Sequence, residues 1–86
     1  MKNHLTKEYL ETLIIKAEYH RLTKSLTVCV LTLQNGFEVL GQSAVADPNN
    51  YNKEIGEKIA YENAFNKIWE LEGYMLKTKL SATKKL

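Results

Sequence analysis

A β-hairpin centred on Asn35-Gly36 is the feature that most constrains the fold of this chain. Residues 26–34, LTVCVLTLQ, are rich in β-branched side chains, which favours a strand. Residues 37–46, FEVLGQSAVA, are interpreted as the returning strand. Asn and Gly both tolerate positive φ, which the two central positions of a type I′ turn require, so the sequence predicts a two-residue turn.

A two-residue turn fixes the register, so the side chains on each face of the hairpin can be deduced. Gln34 would then pair with Phe37. One face is expected to carry Leu26, Val28, Val30, Thr32, Val39 and Val45 with Gly41 and Ser43, and the other Cys29, Leu31, Leu33, Leu40 and Ala44 with Thr27, Glu38 and Gln42. Both faces are substantially apolar, whereas a hairpin covered on one side alternates more cleanly. We therefore expect helices on one face and a second subunit on the other, which makes the chain a homo-oligomer.

A short helix is predicted before the hairpin, from Thr6 to Ala17. Thr6 can cap its first turn. One helix face would carry the apolar residues Leu10, Leu13, Ile14 and Ala17. Residues 18–25, EYHRLTKS, break this pattern and are interpreted as a connection.

A long helix is predicted after the hairpin. Residues 47–50, DPNN, are typical of a loop, and Asn52 can cap a helix that continues to about Lys79. The predicted fold class is therefore α+β in the order α-β-β-α, as one domain over residues 1–80. Residues 81–86 lack periodic apolar residues and are expected to form a disordered basic tail.

The composition excludes several functional classes. A chain of 86 residues allows one domain, and Cys29 as the single cysteine excludes a disulfide framework. Twelve basic and ten acidic residues give a formal net charge of +2, which does not favour nucleic acid as a partner. No run approaches 18 apolar residues and no signal-peptide core is visible, so we expect no membrane association and an intracellular location.

Catalytic and metal-binding patterns are lacking in the sequence. His4 and His20 are the two histidines, and no H-E-x-x-H or paired-cysteine spacing is present. Cys29 lies in an apolar strand pattern, which is typical of a buried, inert thiol. We therefore expect no catalytic residues, no metal and no cofactor, and we interpret the chain as a binding protein and not an enzyme.

Candidate binding residues cluster at the exit of the hairpin: Ser43, Asp47 and Asn50. They are either turn and cap residues or the polar rim of a pocket. Arg21 or Lys24 is expected nearby, and arginine suits phosphate because it donates two parallel hydrogen bonds.

Tyr61 and Glu72 are the candidates on the long helix. Tyr61 recurs with Phe65 and Trp69 at helical spacing, which is typical of a core, but its hydroxyl requires a partner, so a ligand-stacking role stays open. Glu72 falls within the apolar stripe, where a desolvated carboxylate is costly unless paired. Its partner would be Arg21, Lys24 or backbone amides, or Glu72 lies at a ligand or subunit contact.

Four motifs bear a resemblance to a known family: LTLQNGFEVLGQSA, the Asp47-Pro48-x-Asn50-Tyr51 loop, IGEKIAYENA and WELEGYML. The chain resembles a family of small tailed-phage proteins named after gene product 49 of one coliphage and gene product 66 of one Shigella phage. It departs at Asn52, where Asp is expected, and at Val45, where Cys is common. The resemblance implies a phage accessory protein in the host bacterial cytoplasm, and it carries over no enzymatic activity.

Small accessory phage proteins are frequently counter-defence factors, which is an argument by association. The leading hypothesis is therefore that the chain binds or sequesters a small anionic signal, such as a cyclic nucleotide, in pockets between subunits. The alternatives are a protein-interaction inhibitor of a host enzyme or defence complex, and a minor virion component.

Overall fold

A computed structural model describes residues 5–84 of the chain. His4 and residues 85–86 of the expected tail lie outside the described residues. The elements are α1 (Lys7–Thr12), β1 (Ile14–Arg21), β2 (Leu26–Leu33), β3 (Glu38–Ala44), a 3₁₀ turn (Pro48–Asn50) and α2 (Lys53–Lys84). The strands form one antiparallel sheet in the order β1-β2-β3, so the α+β class is confirmed and the strand number is three instead of two.

The first correction concerns residues 14–25. Thr6 caps α1 as predicted, since its hydroxyl accepts from the Tyr9 amide at 3.1 Å. The helix nevertheless ends at Thr12, and β1 replaces the predicted third helical turn and most of the predicted connection. The physical reason is strand pairing. β1 runs alongside β2 from Ile14 opposite Leu33 to Arg21 opposite Thr27. This pairing supplies hydrogen-bond partners to the backbone N–H and C=O groups along an edge of β2 that would otherwise be unpaired.

The second correction concerns the hairpin turn, which has three residues. The Leu33 amide donates to the Phe37 carbonyl at 2.8 Å, and the Gly36 amide donates to the Leu33 carbonyl at 2.8 Å. Gly36 has φ of +89°, and Asn35 does not adopt positive φ. A type I turn closed by a left-handed glycine explains this geometry, so the predicted type I′ turn is wrong. Leu31 therefore pairs with Val39, one residue away from the predicted register.

The shifted register exchanges the faces of β3. Val39, Gly41 and Ser43 share a face with Thr27, Cys29, Leu31 and Leu33 and are turned toward α2. The opposite face carries Leu26, Val28, Val30 and Thr32 with Glu38, Leu40, Gln42 and Ala44. Burial alternates along β3, with Val39 and Gly41 buried and their neighbours exposed. The outer face is consequently less apolar than predicted, which removes much of the argument that a second subunit covers it.

The core lies between the sheet and the first half of α2. It contains Leu10 of α1, the inward side chains Cys29, Leu31, Leu33 and Val39, and Ala60, Ala64, Phe65 and Ile68 of α2. With 32 residues, α2 is about 48 Å long, whereas an eight-residue strand spans about 26 Å. The described part of the helix has no buried residue after Ile68, so its second half extends past the sheet and the molecule measures 59 × 23 × 18 Å. The helix reaches Lys84, beyond the predicted end at Lys79.

Candidate ligand-binding cleft

A cleft of about 190 Å³ lies at the end of the sheet where α2 begins. The β1–β2 turn, the exit of β3, the loop after it and the first turns of α2 form its walls. The lining combines hydroxyls, amides, an aromatic ring and aliphatic groups: Ser25, Ser43, Asn50, Asn52, Tyr51, Ile55 and Ile59. This mixture suits a ligand with both polar edges and an apolar face.

Two hydroxyl-bearing side chains lie next to each other at the cleft: Ser43 lines it, whereas Thr27 is buried behind it. Thr27 and Ser43 are cross-strand partners on the face turned toward α2. Thr27 is only 1% exposed, and its hydroxyl donates to the Tyr51 hydroxyl at 3.4 Å. A Cβ added at Gly56 would lie 3.4 Å from Thr27 Oγ1 and 3.9 Å from Ser43 Oγ, which is ordinary van der Waals contact. The first turns of α2 therefore pack next to both hydroxyl groups.

Arg21 is held beside the cleft by two contacts. Its guanidinium carbon lies 3.7 Å from the centroid of the Tyr51 ring, a cation–π geometry. Its Nη2 donates to the Lys24 carbonyl at 2.6 Å, within the β1–β2 turn. A guanidinium has five N–H donors, so this orientation leaves donors for an anionic ligand. Arg21 does not line the cleft itself, but it contacts Tyr51, which does.

The loop before α2 positions the remaining polar groups. The Asp47 carboxylate accepts from the Asn49 amide at 3.0 Å and thereby fixes the 3₁₀ turn. The Asn52 side chain accepts from the Ile55 amide at 3.1 Å and caps α2 as predicted. The positive end of a long helix dipole thus lies at the cleft, which favours an anion, although Glu54 in the first turn opposes it.

The candidate residues fall into two groups. Arg21, Lys24, Ser43, Asp47 and Asn50 come together at the cleft end of the sheet. Ser43 and Asn50 line the cleft directly, whereas Lys24 contributes a backbone carbonyl and Asp47 a turn-stabilising carboxylate. Tyr61 and Glu72 lie elsewhere on α2 and are not cleft residues.

Tyr61 belongs to an aromatic row at the edge of the core. Its ring stacks on Phe65 with centroids 5.9 Å apart, and Phe65 meets Trp69 edge-on at 6.3 Å. Burial raises the pKa of Tyr61, with Glu11 adding to the effect. The hydroxyl consequently stays protonated at neutral pH.

Cys29 lies beneath the helix and is fully buried. Burial raises the pKa of its thiol, and a hydrogen bond with Tyr19 only partly opposes this. The nucleophilic form of cysteine is the thiolate, so the raised pKa makes Cys29 unreactive at neutral pH.

Glu72 is half-exposed on the part of α2 that extends past the sheet. It lies 16 positions after Gly56, about 24 Å along the helix, so Arg21 and Lys24 at the cleft are out of its reach. Among residues 5–84 the structure shows no ion pair to Glu72. The predicted structural bond to either basic residue is therefore not formed within the chain.

Sequence reasoning missed Tyr51 and Thr27 as site residues. Tyr51 belongs to one of the family motifs, but the sequence predicts binding roles in this loop for Asp47 and Asn50 and none for Tyr51. Thr27 is buried at the entry of a strand among apolar residues, where a hydroxyl needs a partner. The signal in the sequence is a hydroxyl residue within an apolar strand, because such a group requires a hydrogen-bond partner. The Tyr51 hydroxyl is that partner.

Two further features concern ions and membranes. Between residues 5 and 84, no group of three or more His, Cys, Asp or Glu side chains is arranged to hold a metal ion. In the same range, neither helix is both long and apolar enough to span a bilayer.

These features define a small α+β protein whose three-stranded sheet is covered by one long helix and ends in a cleft lined by both polar and apolar groups. The chain belongs to the phage protein family described as N4 Gp49/phage Sf6 gene 66, whose sequence profile matches residues 5–80. The match includes every cleft residue named above. No match was found among curated proteins, and none among solved structures.

Proposed function

We propose that this phage protein is a non-enzymatic accessory protein that binds a small anionic ligand of the cyclic nucleotide class in the infected bacterium, and so withdraws a defence signal. The observation that supports this most is the Arg21 guanidinium fixed over the Tyr51 ring, beside a cleft that Ser25, Ser43 and Asn50 help to line. A fixed guanidinium suits phosphate, and hydroxyl and amide groups suit the polar edges of a base and ribose.

Each part of the cleft has a role in this proposal. Arg21 donates to a phosphate oxygen from an orientation set by Tyr51 and by the Lys24 carbonyl. Ser43 and Asn50 supply hydroxyl and amide groups to polar edges of the ligand. These groups have binding roles alone in this proposal, so we expect the ligand to be held and not converted.

The size of the cleft limits how much of a ligand one chain can hold. Pockets for drug-sized ligands measure about 300–1,000 Å³, and this cleft is smaller, at about 190 Å³. One chain therefore covers a phosphate with its ribose or a base. A larger ligand would require a second protein surface at the cleft, which a pocket between subunits would supply.

Calorimetric titration tests the proposal with cyclic mononucleotides, cyclic dinucleotides, their linear counterparts and inorganic phosphate. Arg21→Ala is expected to weaken nucleotide binding at least about tenfold, because charge-assisted hydrogen bonds contribute about 1.5–3 kcal/mol. Arg21→Lys keeps the charge but loses the planar fork, so it is expected to be intermediate. Ser43→Ala is expected to weaken binding less than Arg21→Ala.

Lys67→Ala is the matched control, because it removes one positive charge about 16 Å along α2 from Gly56. It should leave the affinity unchanged. Absence of heat with every nucleotide up to about 1 mM overturns the proposal, since weaker binding than this has no sequestering value. Chromatography of the ligand after incubation separates binding from turnover, and recovery of a cleaved product contradicts the non-enzymatic part.

A second candidate function is inhibition of a host protein through the outer face of the sheet. Leu40 is 41% exposed there, opposite its half-buried cross-strand partner Val30, and α2 lies on the other side of the sheet. An immobilised chain should then retain one host protein at a stoichiometric ratio. Leu40→Lys should abolish that retention and leave nucleotide binding intact, which distinguishes this function from the first.

A further inference from the structure

The second half of α2 continues the face that packs on the sheet. Ala64 and Ile68 are buried under β2 and β3. The same face, at alternating spacings of four and three, continues beyond the sheet as Leu71, Met75, Thr78 and Ala82. This is the heptad spacing of paired helices. Leu71 and Met75 are 41% and 46% exposed, so the heptad pattern continues past the part of α2 that the sheet covers.

Two charged residues border this exposed face. Glu72 and Lys79 directly follow the heptad positions Leu71 and Thr78. Helical neighbours at three and four positions could pair with them, but those of Glu72 are Ile68, Trp69, Met75 and Leu76, and those of Lys79 are Met75, Leu76, Ala82 and Thr83. The charges of Glu72 and Lys79 therefore have no opposite charge available on their own helix.

We propose that residues 71–82 of α2 pair with the same residues of a second copy in antiparallel orientation. Leu71 then lies opposite Ala82 of the second copy, and Met75 opposite Thr78. In this register Glu72 lies beside Lys79 of the second copy, and the two-fold axis repeats the pair. Each of these two charges thereby gains an opposite charge. This complementarity is the reason to expect a second copy of the chain, and not another protein, on the exposed helix face.

The position of the sheet selects the antiparallel orientation. The sheet covers the contact face of α2 up to Ile68. A parallel pair would bring both sheets to the same end and the same side, where they would collide. The antiparallel overlap of residues 71–82 is about 18 Å long and leaves the two sheets at opposite ends.

Pairing would also supply tertiary contacts to the second half of α2. Among the residues of α2 whose burial the structure describes, none after Ile68 is buried, and packing of one face contributes most of a helix's stability in proteins. The overlap is short, so the dimer is of the weak, concentration-dependent class. The inference does not depend on the proposed ligand.

Sedimentation velocity over a range of concentrations tests the pairing. Glu72→Lys and Lys79→Glu each replace two attractions by two repulsions, so each single variant should weaken dimerisation about tenfold. The double variant Glu72→Lys/Lys79→Glu restores opposite charges and should regain the original affinity. Glu70→Lys, the same charge change on the opposite side of the helix, is the control and should have no effect. Circular dichroism verifies that each variant remains folded.

Cross-linking tests the orientation, with all variants built on Cys29→Ser to leave one thiol per chain. A mixture of Met75→Cys and Thr78→Cys chains should form mixed disulfides in preference to Met75→Cys homodimers. A chain that stays monomeric at every concentration overturns the inference. A dimer that is indifferent to the single charge changes, or a preference for Met75→Cys homodimers over the mixed disulfide, also overturns it.

Discussion

The backbone of Gly41 in β3 lies so close to that of Ala64 in α2 that a side chain at position 41 would overlap the helix. A Cβ there would meet the Ala64 amide nitrogen and the Ala60 carbonyl at less than the 3.0 Å that real Cβ atoms keep. Gly41→Ala should therefore force the helix away from the sheet and cost about 1–3 kcal/mol or more of unfolding free energy. Urea unfolding measures this change.

Gly73→Ala is the matched control for Gly41→Ala. Position 73 is helical, and nothing lies within 4 Å of an added Cβ. Alanine there should stabilise the protein by up to about 1 kcal/mol. Equal effects of the two substitutions would mean that the close approach at Gly41 does not exist in solution.

Strong local patterns made much of this fold predictable from the sequence. The caps at Thr6 and Asn52 depend on one side chain and the following turn, and both are confirmed. The strands over residues 26–33 and 38–44 follow from β-branched content and a turn signal. These features are local, so no tertiary information was needed to find them.

β1 and the turn register could not be predicted in the same way. Most of β1 is exposed, so its sequence lacks the period of two that marks a half-buried strand, and only pairing with β2 defines it. Asn35-Gly36 is compatible with a two-residue turn and with a three-residue turn that places only the glycine at positive φ. Without β1, which ends at Arg21, the contact between Arg21 and Tyr51 could not be predicted from the sequence either.

The turn geometry gives a second prediction, at Gly36. Its φ of +89° is costly for residues with a Cβ, and nothing lies within 4 Å to add a steric effect. Gly36→Ala should cost about 1–2 kcal/mol, while Gly36→Asn should cost less because asparagine tolerates the left-handed region. Thermal or urea unfolding ranks the three proteins. If alanine and asparagine are equally tolerated, the turn has a different backbone in solution.

The third prediction concerns the alkaline limit of stability. Burial raises the pKa of Cys29 above its ordinary value of 9.0, and Tyr19 and Tyr61 are raised above 10.0 by the same cause. The folded state therefore keeps protons that the unfolded state releases first. The contribution of these three groups to the free energy of unfolding is fully present below pH 9. It is lost as the pH rises through their folded-state pKa values.

Urea unfolding between pH 7 and pH 10.5 should show this decrease, and Cys29→Ala should make its onset near pH 9 shallower. Thiol reagents give an independent readout: Cys29 should react slowly in the folded protein at pH 8 and rapidly in denaturant. Fast reaction of the folded protein would contradict both its burial and its raised pKa.

The fourth prediction uses Asn52, which both caps α2 and lines the cleft. Asn52→Ala removes the acceptor for the Ile55 amide and should cost about 1 kcal/mol. Asn52→Asp keeps the acceptor and places a negative charge at the helix N-terminus, which should be neutral or stabilising by up to about 1 kcal/mol. The same charge should weaken an anionic ligand about three- to tenfold by repulsion.

Stability and affinity should thus move in opposite directions for Asn52→Asp, and calorimetry and urea unfolding on the same samples compare the two effects. Aspartate is also the residue that the family resemblance leads us to expect at position 52. Undiminished nucleotide binding by Asn52→Asp would place the anion away from the helix N-terminus.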